Sequence, residues 1–268
     1  MRATSILGKL VQLRSLPWSD WGEFIRGWLQ RKNTGIIPCV LPGSRQLLQI
    51  PLRDFYDTYW FFSESKQGVT EIAFFLNQLR PRDVIYDIGA FRGAYGAAAK
   101  AMFGEDIAVH LFEPIPKNSQ AIRKISQLNR FRQFEIVEKA VGQGTAIRGE
   151  FDGAELMLRA GGTSEHLRPL EVATTSIDAY VEHTGVVPSV IKMDVEGFEL
   201  ETVQGGTRCL TEHKPRLWLE LHPNFLAAQA RDWHEVIEKI RSLGYETIRF
   251  HSDYHLPTRH VSFHVWCE

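Results

Sequence analysis

The sequence predicts an α/β fold in which a largely parallel sheet carries helices on both faces and ends in an antiparallel pair. Three observations carry that prediction. From residue 83 onward, short apolar runs alternate with segments of helical period. The stretch Val84–Gly96, VIYDIGAFRGAYG, reads as a strand, a glycine turn and the start of a small-residue helix. The last two strand-like runs are joined by a loop with no helical segment, as an antiparallel pair requires.

In order along the chain, residues 1–33 come first, with Ile6, Leu7, Leu10, Leu13 and Leu16 at helical spacing before Pro17 interrupts. Arg2, Lys9, Arg14, Arg26, Arg31 and Lys32 outweigh Asp20 and Glu23, and tryptophans and Phe24 lie among them. This reads as an accessory helix docked on the main domain or on a second subunit of a homodimer. The alternative is weak peripheral contact with an anionic membrane surface. A short β-rich piece follows (Ile36 to Ile50), then the aromatic cluster Phe55, Tyr56, Tyr59, Trp60, Phe61 and Phe62, then a helix near Thr70–Leu79. The aromatics read as core, with a cap over a ligand as the alternative. Residues 1–80 thus form an N-terminal extension and residues 81–268 the main domain.

In the main domain the strands are Val84–Ile88, Ile107–Phe112, Phe134–Val137, Val190–Met193, Leu217–Leu221, Tyr245–Phe250 and Val261–Trp266. Between them fit helices over Ala94–Phe103, Asn118–Asn129, Leu200–Leu210 and Asp232–Leu243. A glycine-bearing insertion over about 143–176 (Gly149, Gly153, Gly161, Gly162) reads as a β-excursion at the sheet edge.

Composition excludes several classes. With 44% apolar and 24% charged residues the chain is ordinary for a globular protein, and 268 residues suffice for a substantial core. A net charge of −1 argues against a nucleic-acid partner. The three cysteines, Cys39, Cys209 and Cys267, make neither a disulfide framework nor a metal pattern, so a cytoplasmic location is the simpler reading. No run of 18 apolar residues and no signal-peptide pattern is present.

Ligands of open α/β sheets bind beyond the carboxyl ends of the strands, and the residues falling there can be read in order. Asp87 and Gly89 follow the first strand, with Gly93 at the start of the helix. Gly89 and Gly93 make G-x-x-x-G, and Phe91 stands where a dinucleotide fingerprint needs its second glycine. An acidic residue two positions before the first glycine suits a ligand with an amino group, such as S-adenosylmethionine. Glu113 and Pro114 follow the second strand, and Glu113, 26 residues beyond Asp87, is placed to accept hydrogen bonds from two ribose hydroxyls. Ala140 follows the third strand, Asp194 and Glu196 the fourth, Glu220 and His222 the fifth.

Asp194, Glu196, Glu220 and His222 form the candidate chemical group. An alcohol is a poor nucleophile at neutral pH, so methyl transfer to a hydroxyl needs a base beside the oxygen, and His222 has a suitable ordinary pKa. The same three carboxylates and histidine could instead hold a divalent ion that acidifies the hydroxyl, although no metal is required by the pattern. Glu196 and Glu199 also have a bland reading, as charge compensation at a helix N-terminus. Lys192, inside a central strand, needs a buried partner, and Glu220 on the next strand is the expected one. Among His251, His255, His260 and His264 no structural zinc spacing occurs. His260 and His264 read as sheet-surface positions sharing a face with Ser262 and Trp266, while the loop of His251, Asp253, Tyr254 and His255 overhangs the ligand edge.

DIGAFRG, FEPIPKN, KAVG, TTSIDAY, IKMDVEGFE with a later GG, and PRLWLELHP, in that order, resemble the FkbM-type S-adenosylmethionine-dependent methyltransferases. The resemblance covers roughly residues 80–223. It implies the class I methyltransferase (Rossmann-like) fold, a seven-stranded sheet with an antiparallel last strand. It also implies methyl transfer to oxygen on a sugar, a glycolipid or polysaccharide, or a natural product. On that resemblance Asp87, Gly89, Ala90 and Gly93 hold the methionine portion of the cofactor. Glu113, with Pro114 beside it, binds the ribose, Ala140 lies near the adenine, and Asp194, Glu196, Glu220 and His222 surround the transferred methyl group. Where the family usually reads G-A-N, this chain has Phe91. That departure keeps in view a catalytically inactive methyltransferase-like module in a glycan-synthesis complex.

Overall fold

The computed structural model describes residues 35–39, 46–51, 66–144, 147–151, 158–159, 168–251 and 262–268. The expectations for residues 1–33, for the aromatic cluster at 55–62, and for His255 and His260 lie outside them. Among the described residues, no helix is long and apolar enough to cross a membrane.

Two short antiparallel strands, β1 (Ile36–Cys39) and β2 (Leu48–Pro51), precede helix α1 (Lys66–Gln78). Strand–helix alternation then begins: β3 (Val84–Ile88), α2 (Ala94–Phe103), β4 (Ala108–Phe112), α3 (Pro116–Asn129), β5 (Phe134–Val137). The two-residue strand β6 (Ala140–Val141) leads into the insertion, where β7 (Ile147–Phe151), β8 (Leu158–Arg159) and β9 (Arg168–Val172) make a three-stranded antiparallel sheet of their own. After β10 (Thr174–Thr175), which pairs parallel with β6, come α4 (Ile177–Thr184), β11 (Val190–Met193), α5 (Glu199–Gly205) and α6 (Thr207–Glu212). The chain closes with β12 (Arg216–Leu221), α7 (Pro223–Ala228), α8 (Trp233–Ser242), β13 (Ile248–His251) and β14 (Phe263–Cys267).

The main sheet has seven strands in the order β13-β14-β12-β11-β3-β4-β5, and only β14 runs antiparallel to its neighbours. This is the predicted architecture. Side chains alternate between two cores. Ile85, Val109, Leu111, Trp218 and Trp266 face α1, α2 and α3, whereas Tyr86, Phe112, Ile191, Met193 and Leu219 face α5 and α8. Each such side chain removed from water contributes about 1.5–3 kcal/mol, so the period-two pattern fixes the register of every strand.

Several expected elements change at their ends. The segment 200–210 is two helices, because the backbone breaks at the Gly205–Gly206 pair. A Cβ on Gly205 would lie 1.9 Å from the Gly142 carbonyl oxygen, an approach only glycine permits. The helix expected from Asn118 starts two residues earlier with Pro116, whose fixed φ suits the first turn. α4, capped by Ser176 and ended at Gly185, and α7, begun by Pro223, are additional elements. The last two strands start at Ile248 and Phe263, later than their apolar runs suggest.

At the amino edge of the sheet Asp83 ties three strands together. It accepts hydrogen bonds from Arg216 Nη2 at 2.7 Å, Ser189 Oγ at 2.7 Å and the Arg80 N–H at 2.7 Å. This charge is structural, as is that of Lys100, buried with its Nζ donating to the Ile107 carbonyl just before β4 at 2.9 Å, whereas Asp87, Glu113, Lys192 and His222 lie toward the carboxyl edge.

Candidate active site

β3 and β11 end so close together that a Cβ on Gly89 would sit 1.7 Å from the Asp194 carbonyl oxygen. Gly89 also has φ +74°, a conformation that L residues rarely adopt. The chain therefore turns there without a side chain, and a cavity of about 260 Å³ opens above the strand ends. Gly89, Phe112, Glu113, Pro114, Ala140 and Phe198 are among its walls, as are Asp194 and Glu196. Asp87, Ala90 and Gly93 do not line it. Asp87 is buried behind the turn, and a Cβ on Gly93 would press on Leu111 and Ile122. Those three residues shape the cleft from beneath.

Glu113 is the polar floor of one half of the cleft. Its Oε2 accepts the Phe91 N–H at 2.8 Å, and its Oε1 accepts the Ile115 N–H at 2.9 Å and Asn118 Nδ2 at 3.2 Å. Burial pushes its carboxyl up to about 7, against the pull of those donors and of Lys192. Phe91 gives Glu113 a main-chain contact that does not depend on its side chain. It does so from the left-handed region, at φ +50°, where a phenylalanine is strained by about 1–2 kcal/mol and an asparagine much less. Phe91→Asn is expected to raise the thermal midpoint by about 2–4 °C, checked by scanning calorimetry; no rise would mean the strain is absorbed elsewhere.

The second half of the site is charged. His222, just after β12, is buried, and its Nδ1 lies 2.7 Å from Glu199 Oε1. Its Nε2 faces Asp194 Oδ1 at 3.7 Å, Glu196 Oε2 at 3.7 Å and Glu220 Oε1 at 3.8 Å. The four residues expected to form the chemical group are thus brought together. Burial opposes a charge on the ring, but the hydrogen bond to Glu199 and the carboxylates of Asp194, Glu220 and Glu196 prevail and hold its pKa up at about 10. These partners favour the protonated ring, a form that cannot act as the general base its ordinary pKa suggests.

Glu199, fully buried, does more than compensate a helix end: it fixes the imidazole. The expected sheet-surface position of His264 is also corrected. β14 lies inside the sheet between β13 and β12, so His264 is buried, stacked on Trp218, with Nε2 3.4 Å from Glu220 Oε2 and Nδ1 3.5 Å from Glu71 Oε1. Its face, shared with Trp266, is the one expected; its exposure is not. Burial alone would raise the Glu220 carboxyl, yet His264 and His222 hold it well below the usual carboxylate range. Asp194 is pushed up, first by burial and then by the neighbouring Glu220.

Lys192 finds different partners from the one expected. Its Nζ donates to the Gly89 carbonyl at 2.9 Å and lies 3.4 Å from both Asp87 Oδ1 and Asp194 Oδ2. Register explains this: Lys192 pairs with Asp87 on β3 and with Trp218, not Glu220, on β12.

A family model described as Methyltransferase FkbM domain matches residues 87–247, more than half of the chain. No curated protein matches the sequence significantly. Among solved structures, the chain is similar to a methyltransferase FkbM from Methylobacillus flagellatus KT, at 20% identity and a TM-score of 0.46. That alignment covers 81% of this chain and 54% of the other, so this chain spans about half of its length. A precorrin-6y C5,15-methyltransferase from Geobacter metallireducens GS-15 aligns at 12% identity over 76% of this chain and 89% of its own, with a TM-score of 0.47. An Aeropyrum pernix fibrillarin with natively bound S-adenosyl-L-methionine aligns at 10% identity over 74% of each chain, with a TM-score of 0.46.

Proposed function

The chain belongs to the FkbM methyltransferase family, and from that premise we propose that it moves the methyl group of S-adenosylmethionine to a hydroxyl oxygen. The acceptor is a sugar, a glycolipid or polysaccharide, or a natural product. One observation carries this reading: Asp194 and Glu196 line the cleft that Glu113 floors, and the same two carboxylates face His222 at 3.7 Å. A ligand in the cleft therefore meets the charged group directly.

The residues present fit an adenosyl sulfonium. Glu113 Oε2, which takes one protein donor where Oε1 takes two, keeps a lone pair for a ribose hydroxyl, Phe112, Ala140, Val141 and Phe198 offer an apolar wall to a flat base, and the carboxylates complement a positive sulfur. When bound, the cofactor supplies a methyl carbon on a strong leaving group, so the protein has chiefly to place the acceptor in line. Glu113 and the apolar wall would hold the cofactor as it gives up its methyl carbon to the acceptor oxygen and the carbon–sulfur electron pair stays on sulfur. The hydroxyl proton passes to a cleft carboxylate, for which Asp194 and Glu196 are placed. His222 and Lys192 hold those carboxylates in position.

His222→Ala is expected to bind S-adenosylmethionine within about threefold of the wild type and to lose at least about 100-fold in turnover. Calorimetric titration with the cofactor, and labelled methyl transfer into fractionated glycans and lipids, are the measurements. Full turnover in the variant would remove the role of His222. Failure of the wild-type protein to bind the methyl donor would favour the non-catalytic module instead.

A further inference from the structure

Three donor atoms in the charged half of the site converge on one point. One ligand atom from each of Asp194, Glu220 and His222 lies within 4.8 Å of the other two. His222 Nε2 stands 3.7 Å from Asp194 Oδ1 and 3.8 Å from Glu220 Oε1, too far for hydrogen bonds. Such spacings are those of ligands around a single cation, since donors about 2.0–2.4 Å from a metal lie roughly 3–4.5 Å apart.

Each donor is also held from behind through its other atom. Asp194 Oδ2 is anchored by Lys192 Nζ at 3.4 Å, Glu220 Oε2 by His264 Nε2 at 3.4 Å, and His222 Nδ1 by Glu199 Oε1 at 2.7 Å. His222 is 9% exposed and Glu199 0%, so the ring is locked with Nε2 aimed into the gap between the carboxylates. An imidazole that gives its far nitrogen to a buried carboxylate is the usual outer shell of a metal-bound histidine.

We propose that Asp194 Oδ1, Glu220 Oε1 and His222 Nε2 bind one divalent cation of the magnesium or manganese class. Two carboxylate oxygens and one imidazole make an oxygen-rich donor set, which favours manganese over softer ions. Its position beside the cleft rests on the methyl-transfer reading for its use: the cation orients the acceptor oxygen and makes its proton more acidic, and Glu196 remains to take that proton. A cation and a proton on Nε2 exclude one another.

The test is titration of the chelator-treated full-length protein with Mn2+, followed by paramagnetic resonance and calorimetry, with cofactor binding measured separately. One Mn2+ per chain is expected, weakened at least tenfold by Glu220→Gln and by His222→Gln, and unchanged by the distant Glu138→Gln. Mg2+ should compete. A wild-type protein that binds no Mn2+ would overturn the proposal, as would binding that neither substitution weakens. Either failure is distinct from failure of the methyl-transfer reading, which shows as loss of S-adenosylmethionine binding whatever Mn2+ does.

Discussion

Lys192→Met is expected to destabilise the protein by about 3–5 kcal/mol, lowering the thermal midpoint by roughly 6–20 °C. Lys192 is the positive charge beside Asp87, whose carboxylate is buried with neither oxygen in a hydrogen bond. Methionine fits the volume but leaves two carboxylates, Asp87 and Asp194, without their shared cation. Breaking a buried pair by removing one partner costs more than the pair contributes, because an uncompensated charge stays behind. Thermal and urea unfolding of Lys192→Met, Asp87→Asn and the double variant measure this. The double variant should recover more than half of the loss, since asparagine carries no charge to strand. An unchanged midpoint in Lys192→Met would mean that Asp87 is protonated in the folded protein, the direction in which burial pushes it.

The other large effect concerns the cofactor. Glu113→Ala is expected to weaken S-adenosylmethionine binding about 10- to 100-fold, because a hydrogen bond to a charged acceptor is worth about 1.5–3 kcal/mol. The substitution also strands the N–H groups of Phe91 and Ile115, which point at the carboxylate. A pH signature separates the two causes. The Glu113 carboxyl is pushed up to about 7, so the ionised form that accepts from a ribose is lost as pH falls through that value. Affinity is then full above about pH 8 and about tenfold weaker at pH 6. Calorimetric titration between those limits, with Glu113→Gln alongside, isolates the contribution: the component due to Glu113 vanishes in the glutamine variant. Identical pH dependence in both proteins would exclude Glu113 as the ribose acceptor.

Much of this site was legible in the chain, for a physical reason. Alternation of apolar runs gives strand direction, direction gives the carboxyl edge, and residues at that edge are the candidates to face a ligand. Glu113, Asp194, Glu196, Glu220 and His222 were found that way. Residues whose importance depends on side-chain partners far along the chain were not. Glu199 has a satisfactory local explanation at the first turn of a helix, and only the approach of His222 from β12 gives it another. The insertion shows the same limit: turn residues mark its strands, but nothing local says that they form a separate sheet.

What the sequence by itself determined is the succession of the seven main-sheet strands along the chain, the glycine turn after β3 and the acidic carboxyl edge, because each follows from local conformational preference and from which face must be buried. Tertiary structure alone decided the placement of β14 between β12 and β13, the burial of His264 against Glu220, and the choice of Asp87 and Asp194 as partners of Lys192. Those depend on cross-strand register and on low-dielectric burial, where a charge must find a partner within a few ångströms however distant it is in the chain.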